Sequence, residues 1–358
     1  MKEKEKSKKK TILKIAISVI VVLFALALVG YSFILSKLNM LDRTPEDSFD
    51  SINSSETAEA EIVQEDDYDN QEMLDVTEDL DERDAILATG EIFSDSDVFN
   101  ILLIGTDERT EEFSTNARGD ACMLLSINKS TGIIHLISFE RGMGVPILEG
   151  QYEGQYDWLT HTFRYGGAEL MMKEIRECFK VDVTHYIRVN FNTFIEGIDA
   201  IGGVDISLTQ AEVDYILYRA EVEGNGIQQV TVGLNHMNGA TALSYARCRK
   251  IDSDWNRISR QRTVIQAAVD QVKDLNVLEL NSMLDTVLPL IQTNLTNEEI
   301  LSLAMIVPLF WGNDFEQATI PLSGTYGSMK GMGGRSLFSV DFDTNAKALQ
   351  EMLYGAAE

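Results

Sequence analysis

The chain has 358 residues, 24% of them charged and 44% hydrophobic, which is enough for one large globular domain or two small ones. Its formal charge of −27 argues against duplex nucleic acid as a partner, because a phosphate backbone needs a broad basic face. Cys122, Cys178 and Cys248 form no CxxC pair and the four histidines form no HExxH cluster, so buried free thiols are expected rather than a disulfide scaffold or a zinc site.

Residues 1–14 form a basic tail, with six lysines against two glutamates in the first ten positions. Ile15 to Leu35 is 21 residues without a charge, roughly 32 Å as a helix and long enough to cross a bilayer. No small-residue cleavage site follows it, so 15–36 is expected to be an uncleaved transmembrane anchor. Lysines before it and acids after it place the N-terminus in the cytoplasm and the remainder outside the cell membrane. Between Asp42 and Asp84 there are eighteen acidic residues, opposed only by Arg43 and Arg83. Residues 37–95 are therefore expected to be a disordered, self-repelling linker.

Residues 96–358 carry the pattern of one extracellular domain. Val98–Ile104, Cys122–Asn128 and Ile133–Phe139 are apolar runs of strand length, the last two joined by the four-residue loop Lys129-Ser130-Thr131-Gly132. Leu159–Phe179 has a helical apolar face, His185–Val189 is a strand, Phe191–Ile201 a helix ending at Gly202-Gly203, and Val204–Leu208 a strand. Asn238–Arg249 and Trp255–Leu275 are helices, with further helices at 278–292 and 297–309. Gln317–Leu322 and Leu337–Val340 add strands. Alternating strands and helices point to an α/β fold, an α-β-α sandwich around a mixed β-sheet.

Charged residues collect at the ends of these strands. Asp107 and Arg109 follow the first strand, Arg118 and Asp120 precede the second, and Arg141 follows the third. If the first two strands are antiparallel neighbours, Asp107 and Asp120 reach one edge of the sheet. Two carboxylates together with phosphate oxygens suit Mg2+, a hard cation with few protein ligands. A second cluster lies in Tyr245–Arg262, where Arg247, Arg249, Lys250, Arg257, Arg260 and Arg262 face only Asp252 and Asp254. Arginine forks grip phosphate oxygens. Asp252 or Asp254 can cap the helix starting near Trp255, and arginines in its first turns oppose the macrodipole unless an anion is bound there.

The segments GTDER, ARGD, the Arg141 region, Tyr165–Gly167, DAIGGVDISL and GLNHMNGATALSYARCR…DSDWNRISRQR resemble the LytR-CpsA-Psr family of cell-envelope proteins, in order over about residues 97–275. The resemblance implies a membrane-bound transferase that moves a glycopolymer, such as teichoic acid or capsule, from a polyprenyl-pyrophosphate carrier onto peptidoglycan. It also implies an α/β sandwich with a hydrophobic lipid pocket. It makes Asp107 and Asp120 the magnesium ligands. It makes Arg109, Arg118, Arg141, Arg247, Arg249, Arg257 and Arg260 pyrophosphate contacts, the first five catalytic, with Gln261 beside them. One departure stands out: the family reads Ser-Ile-Pro-Arg-Asp where this chain has Ser138-Phe139-Glu140-Arg141-Gly142. Glu140, on the other side of the arginine, is expected to point elsewhere. The implied reaction is phosphoryl-type transfer, with catalysis by positioning and electrostatics. No general base is evident; His161 is a weak candidate and a core histidine is its plainer role. The apolar face of 255–275 and Phe191–Ile201 could line the lipid groove, though core packing explains them equally. A non-catalytic polyprenyl-pyrophosphate binder that regulates or scaffolds envelope assembly, and a lipid-pyrophosphate hydrolase, use the same residues and stay open.

Overall fold

A computed structural model describes residues 32–43, 77, 80–108, 113, 117–224, 226–249, 251–306 and 315–355. The chain divides into two units, Met1–Leu41 and Asp42–Glu358. In the first, residues 32–38 are helical, and most of the expected membrane span lies outside the described residues. Among the described residues no helix is long and apolar enough to cross a membrane.

The second unit begins its regular structure with β1 (Val98–Gly105), β2 (Ala121–Asn128) and β3 (Ile134–Phe139). The four-residue loop behaves as its sequence requires. Asn128 Oδ1 accepts from the Ser130 and Thr131 amides, and Gly132 takes the positive φ of 75° that closes the turn. Then follow β4 (Gly144–Pro146), β5 (Tyr156–Trp158), α1 (Leu159–Phe179), β6 (His185–Val189), α2 (Phe191–Ala200), β7 (Val204–Leu208), α3 (Gln210–Glu223), β8 (Gly233–Met237), α4 (Gly239–Ala246) and α5 (Asp254–Lys273). The chain ends with α6 (Val277–Val287), β9 (Gln292–Thr293), α7 (Asn297–Ile306), β10 (Glu316–Ile320), β11 (Tyr326–Lys330), β12 (Ser336–Val340) and α8 (Phe342–Tyr354).

Six strands form one mixed sheet in the order β10-β3-β2-β1-β6-β9. β1 is antiparallel to β2 and parallel to β6. Strand periodicity sorts the central residues to two faces. Leu102, Ile104, Leu124 and Ile137 pack with α1 and α8 through Phe163, Phe179 and Phe342 in one fully buried core. A separate core joins α2 to α5 with the β7–β8 hairpin, through Ile198, Ile206, Ile216, Met237 and Val264. The domain is thus an α/β sandwich with a mixed sheet, as expected.

Three expectations need correction. The segment 80–95 is part of the fold, not of a disordered linker. The Arg83 amide donates to Ser328 O at 3.0 Å and the Ser328 amide to Asp81 O at 2.9 Å, Ile86 donates to Val340 O at 3.0 Å, and Phe93 donates to Lys180 O at 2.8 Å. At the other end of the acidic stretch Arg43 donates to Leu295 O and Asn297 Oδ1. Apolar residues spaced among the acids (Leu80, Ala85, Ala88) pack on the first core, which outweighs the local charge. Second, no element is expected over 210–223, yet α3 forms there with a Thr209–Glu212 capping box. Third, the helix expected at 278–292 stops at Val287, and Gln292–Thr293 joins the sheet edge beside β6.

Gly239, the first residue of α4, has no room for a side chain: an added Cβ would lie 2.6 Å from Ile195 Cα of α2. This contact sets the spacing of two helices that frame the site below. Gly239→Ala is expected to destabilise the domain by about 1–3 kcal/mol through overpacking, measured as a lower melting temperature. An unchanged melting temperature would show that α2 and α4 are not held this close.

Candidate functional site

The β1–β2 register pairs Gly105 with Ala121, so the residues just beyond, Asp107 and Asp120, emerge at the same edge of the sheet. The loop after β1 is pinned on both sides. Thr106 donates to Val189 O at 2.9 Å, and the buried Arg188 guanidinium holds Glu108. Asp107 Oδ1 accepts from the Arg118 amide at 3.0 Å and its Oδ2 from Arg118 Nε at 2.9 Å. Arg118 is therefore tied to Asp107, and Arg109 lies outside the described residues.

Beside this edge opens a cavity of about 640 Å3. Its floor is the second face of the sheet: Leu103, Met123, Ile187 and Val189. Leu103, Ile187 and Val189 are only half-buried although their strands are central. The walls come from α2 (Phe191, Phe194), α3 (Tyr215, Arg219), α4 (Leu243, Ala246) and α5 (Gln261, Ile265). The polar end is made by Asp120, Arg247, Arg249, Asp252 and Arg257. An apolar trough with a cationic end is shaped for an amphiphile with an anionic head. The α2 and α5 faces thus line a cavity as well as a core.

The basic cluster of Tyr245–Arg262 divides in two. Arg247, Arg249 and Arg257 border the cavity. The Arg247 guanidinium lies 4.5 Å from the Phe191 ring centroid, which keeps it stretched across the cavity wall. Arg257, 4% exposed, donates to Asp254 Oδ2 at 3.0 Å, while its Nε has no acceptor among the described residues. Burial lowers the Arg257 pKa from its ordinary value, and the like charges of Arg141 and Arg249 add to this against Asp254 and Asp120. Arg257 thus borders the cavity with a single carboxylate partner, Asp254, so its charge can act on an anion there.

Arg260 does not border the cavity, contrary to its expected pyrophosphate role. Its guanidinium is filled by Glu212 Oε1 at 2.8 Å, Cys248 O at 3.0 Å and both oxygens of Asp252. Arg262 likewise staples α5 to the sheet through Ser138 Oγ, Ala318 O and Thr319 Oγ1. The helix-dipole argument also changes. Ser253, not Asp252 or Asp254, caps α5, and the arginines of its first turns have carboxylate partners within the fold. The three-residue spacing of Arg257 and Arg260 does not put both on the ligand, because Glu212 of α3 draws Arg260 to itself.

Arg141 is 3% exposed and lies 5.3 Å above the Trp158 ring. Behind it is a closed polar network centred on Asp157, which accepts from Tyr165 Oη at 2.6 Å and Arg335 Nη1 at 3.0 Å and contacts His161 Nδ1 at 3.3 Å. Burial works against ionising Asp157, but His161, Arg335 and Tyr165 outweigh it and hold the carboxyl below its ordinary value. His161 is 1% exposed and does not border the cavity, so it is a core histidine.

Glu140 does not point elsewhere. Glu140 is 1% exposed, its carboxyl accepts from the Gly142 amide at 2.5 Å, and it lies within the electrostatic reach of Asp254. Burial and the Asp254 charge push its pKa well above the usual carboxylate range. Burial acts the same way on Asp254, but Arg257 and Arg141 outweigh it and keep Asp254 low. The spacing of Glu140 from Asp254 in the chain gives no hint of this proximity. The cavity roles of Tyr215 and Arg219 were also unforeseen; the Thr209-x-x-Glu212 capping box was the signal that could have found their helix.

For Mg2+, the donor set is chemically suitable. Asp107 and Asp120 share an edge, and each Asp107 oxygen keeps a lone pair beyond its bond to Arg118. Among the described residues no group of three or more His, Cys, Asp or Glu is placed to hold a metal. A two-carboxylate site relies on water and phosphate oxygens for the remaining positions.

A profile of the LytR_cpsA_psr family matches residues 51–353. A Staphylococcus aureus protein described as uncharacterised is 26% identical over 317 residues, 87% of this chain and 69% of that protein. The Oceanobacillus iheyensis polyisoprenyl-teichoic acid–peptidoglycan teichoic acid transferase TagU is 32% identical over 223 residues, 60% of this chain and 64% of the relative. The chain spans 63% to 69% of the length of the first curated relatives it matches. Among solved structures, "TagT bound to LI-WTA" superposes with a TM-score of 0.57 at 26% identity, covering 75% of this chain and 98% of that one.

The two classes of arginine separate experimentally. Arg260→Ala leaves Glu212 and Asp252 without their partner and is expected to cost about 2–4 kcal/mol of stability, with pyrophosphate affinity per folded molecule unchanged. Arg257→Ala is expected to weaken pyrophosphate binding at least tenfold, on the order of 1.4 kcal/mol or more. Calorimetric titration with pyrophosphate and thermal melts of both variants check the assignment; the reverse pattern would refute it.

Proposed function

Because the chain belongs to the LytR-CpsA-Psr family, whose profile spans residues 51–353, we propose that it is a membrane-anchored enzyme moving a glycopolymer from a polyprenyl-pyrophosphate carrier onto peptidoglycan. One juxtaposition carries this reading: an apolar cavity floored by half-buried sheet residues ends at Arg247, Arg249 and Arg257. A prenyl chain fits the first part and a pyrophosphate the second. The names of the relatives agree with it, one being a teichoic acid transferase that acts between a polyisoprenyl carrier and peptidoglycan.

In this reading the prenyl chain lies along Leu103, Ile187, Val189 and Phe194, and the pyrophosphate meets the three cavity arginines. Arg141 adds positive charge from behind. An acceptor hydroxyl of peptidoglycan attacks the phosphorus that carries the sugar. The new P–O bond forms as the bond to the bridging oxygen breaks, polyprenyl phosphate leaves, and the hydroxyl proton passes to water. The arginines stabilise charge growing on the leaving oxygen, and the apolar walls strengthen that effect by excluding water. Mg2+, held by Asp107 and Asp120, would supply further positive charge to the phosphate oxygens. Arg118 positions Asp107 through its two bonds. Anchoring through Ile15–Leu35 in the cell membrane, with the domain outside, would bring the cavity to the carrier lipid and the wall. Nucleic acid is no part of this function.

The test is to incubate the full chain in detergent with a short-chain prenyl-pyrophosphoryl oligosaccharide, peptidoglycan and Mg2+. Glycan covalently attached to peptidoglycan is expected, about 100-fold less with Arg257→Ala and less on chelation of the metal. Release of prenyl phosphate without attachment would point to a hydrolase. Tight binding with neither product, unchanged in Asp107→Ala and Asp120→Ala, would make the protein a binding scaffold.

A further inference from the structure

Among the described residues, three of the four large apolar side chains that are more than 70% exposed, Val277, Leu278 and Met305, stand on α6 and α7. Neither helix has a buried residue. α6 lies against α2, and its Met283 packs on the core there. Val277 and Leu278, in the first turn of the same helix, stay open at 82% and 81%. No lysine or arginine occurs between Val277 and Ile306, so this surface has no cation to draw in an anionic partner. Two of its carboxylates are already engaged: Glu279 closes the α6 cap, and Glu299 meets His185 at 2.9 Å.

The chain enters the domain between these two helices. The Asp42 amide donates to Ile291 O at 3.1 Å, and Asp42 O accepts from the Thr293 amide at 3.1 Å, which adds one rung to the outer edge of β9. Arg43 then donates to Leu295 O at 3.0 Å and to Asn297 Oδ1, at the first residue of α7, at 2.7 Å. α6 runs into β9 through residues 288–291. The apolar run Ile15–Leu35 ends seven positions before Asp42, a link of at most about 25 Å even when fully extended. A strap this short, fastened between α6 and α7, turns those helices toward the bilayer. It also makes their contact with lipid intramolecular, so that a weak apolar contact forms without help from charge.

We propose that α6 and α7 form a membrane-docking surface, with Val277, Leu278 and Met305 entering the interfacial layer of the bilayer that holds the anchor. This rests on the reading of Ile15–Leu35 as that anchor. The partner is the lipid surface itself, recognised through its hydrocarbon and not through headgroup charge. Interfacial helices sink their apolar side chains about 5–10 Å below the headgroups, a depth that side chains on an open helix face reach without unfolding anything. Docking also serves the transfer reaction. α6 lies on α2, whose Phe191 and Phe194 line the cavity, so one helix layer, about 10 Å, separates the cavity wall from the lipid.

The experiment places a fluorophore on single cysteines in the full chain: Val277→Cys, Leu278→Cys and Met305→Cys, with Ala25→Cys in the apolar run and Lys347→Cys on α8 for comparison. Lys347 is exposed on the helix that covers the other face of the sheet. Cys122, Cys178 and Cys248 are buried and stay unlabelled. Each variant sits one chain per nanodisc of neutral phosphatidylcholine, with and without nitroxide-labelled lipid. Labels at 277, 278 and 305 are expected to be quenched about threefold or more above the label at 347, equally in low and high salt. Quenching no stronger than at 347, with the label at 25 quenched, would overturn the docking surface and leave the anchor standing; a protein partner on these helices would give that result. Quenching that disappears in high salt would overturn recognition through hydrocarbon. An unquenched label at 25 would refute the anchor, and the docking surface with it. The three sites read separately, so a variant that fails to fold leaves the others to decide.

Discussion

A guanidinium taken out of water costs several kcal/mol unless a carboxylate or a bound anion compensates it. Arg141, Arg257 and Arg260 are all less than 7% exposed, and they stand within one region of the domain. The fold resolves this burden unequally. Arg260 is fully compensated by Glu212, Asp252 and a backbone carbonyl, so it has become a bolt between α3, α5 and the loop before it. Arg257 shares Asp254 with Arg249 and borders the cavity. The difference between a complete and an incomplete set of counter-charges is what separates a structural arginine from a ligand-binding one. Sequence spacing treats them alike.

The apolar part of the site follows from an incomplete covering of the sheet. One face is closed by α1 and α8 into a core with no exposed members. On the other face, α2 to α5 pack with the β7–β8 hairpin around a core of their own. They stand off from Leu103, Ile187 and Val189, leaving those residues half-buried. Apolar surface left uncovered at the middle of a sheet forgoes stabilisation of about 25 cal/mol per Å2. A lipid chain lying there would recover it. The close approach of α2 and α4 at Gly239 fixes the spacing of these two wall helices.

Much of this was legible in the sequence. The strand ends carried Asp107 and Asp120 to one edge because strand pairing is dictated by apolar runs and a short turn, both local features. The long helices declared themselves through their apolar stripes. What stayed hidden depends on partners distant in the chain. Nothing near Arg260 announces Glu212, and nothing near Glu140 announces Asp254; both proximities arise only once α3 and α5 have packed. The place of segment 80–95 is hidden in the sequence because charge dominates its composition, while a few apolar side chains and backbone bonds to Ser328, Val340 and Lys180 decide it. The α3 helix is inconspicuous in the sequence because its apolar face is weak; its capping residues are the stronger sign.

The cavity's occupant is the central claim. Mass spectrometry of the full chain, extracted from membranes in mild detergent, measures it directly. A polyprenyl-pyrophosphate lipid that co-purifies with the wild type and is lost from Arg257→Ala is the predicted result. Recovery of ordinary phospholipid alone, in equal amounts from both proteins, would contradict it.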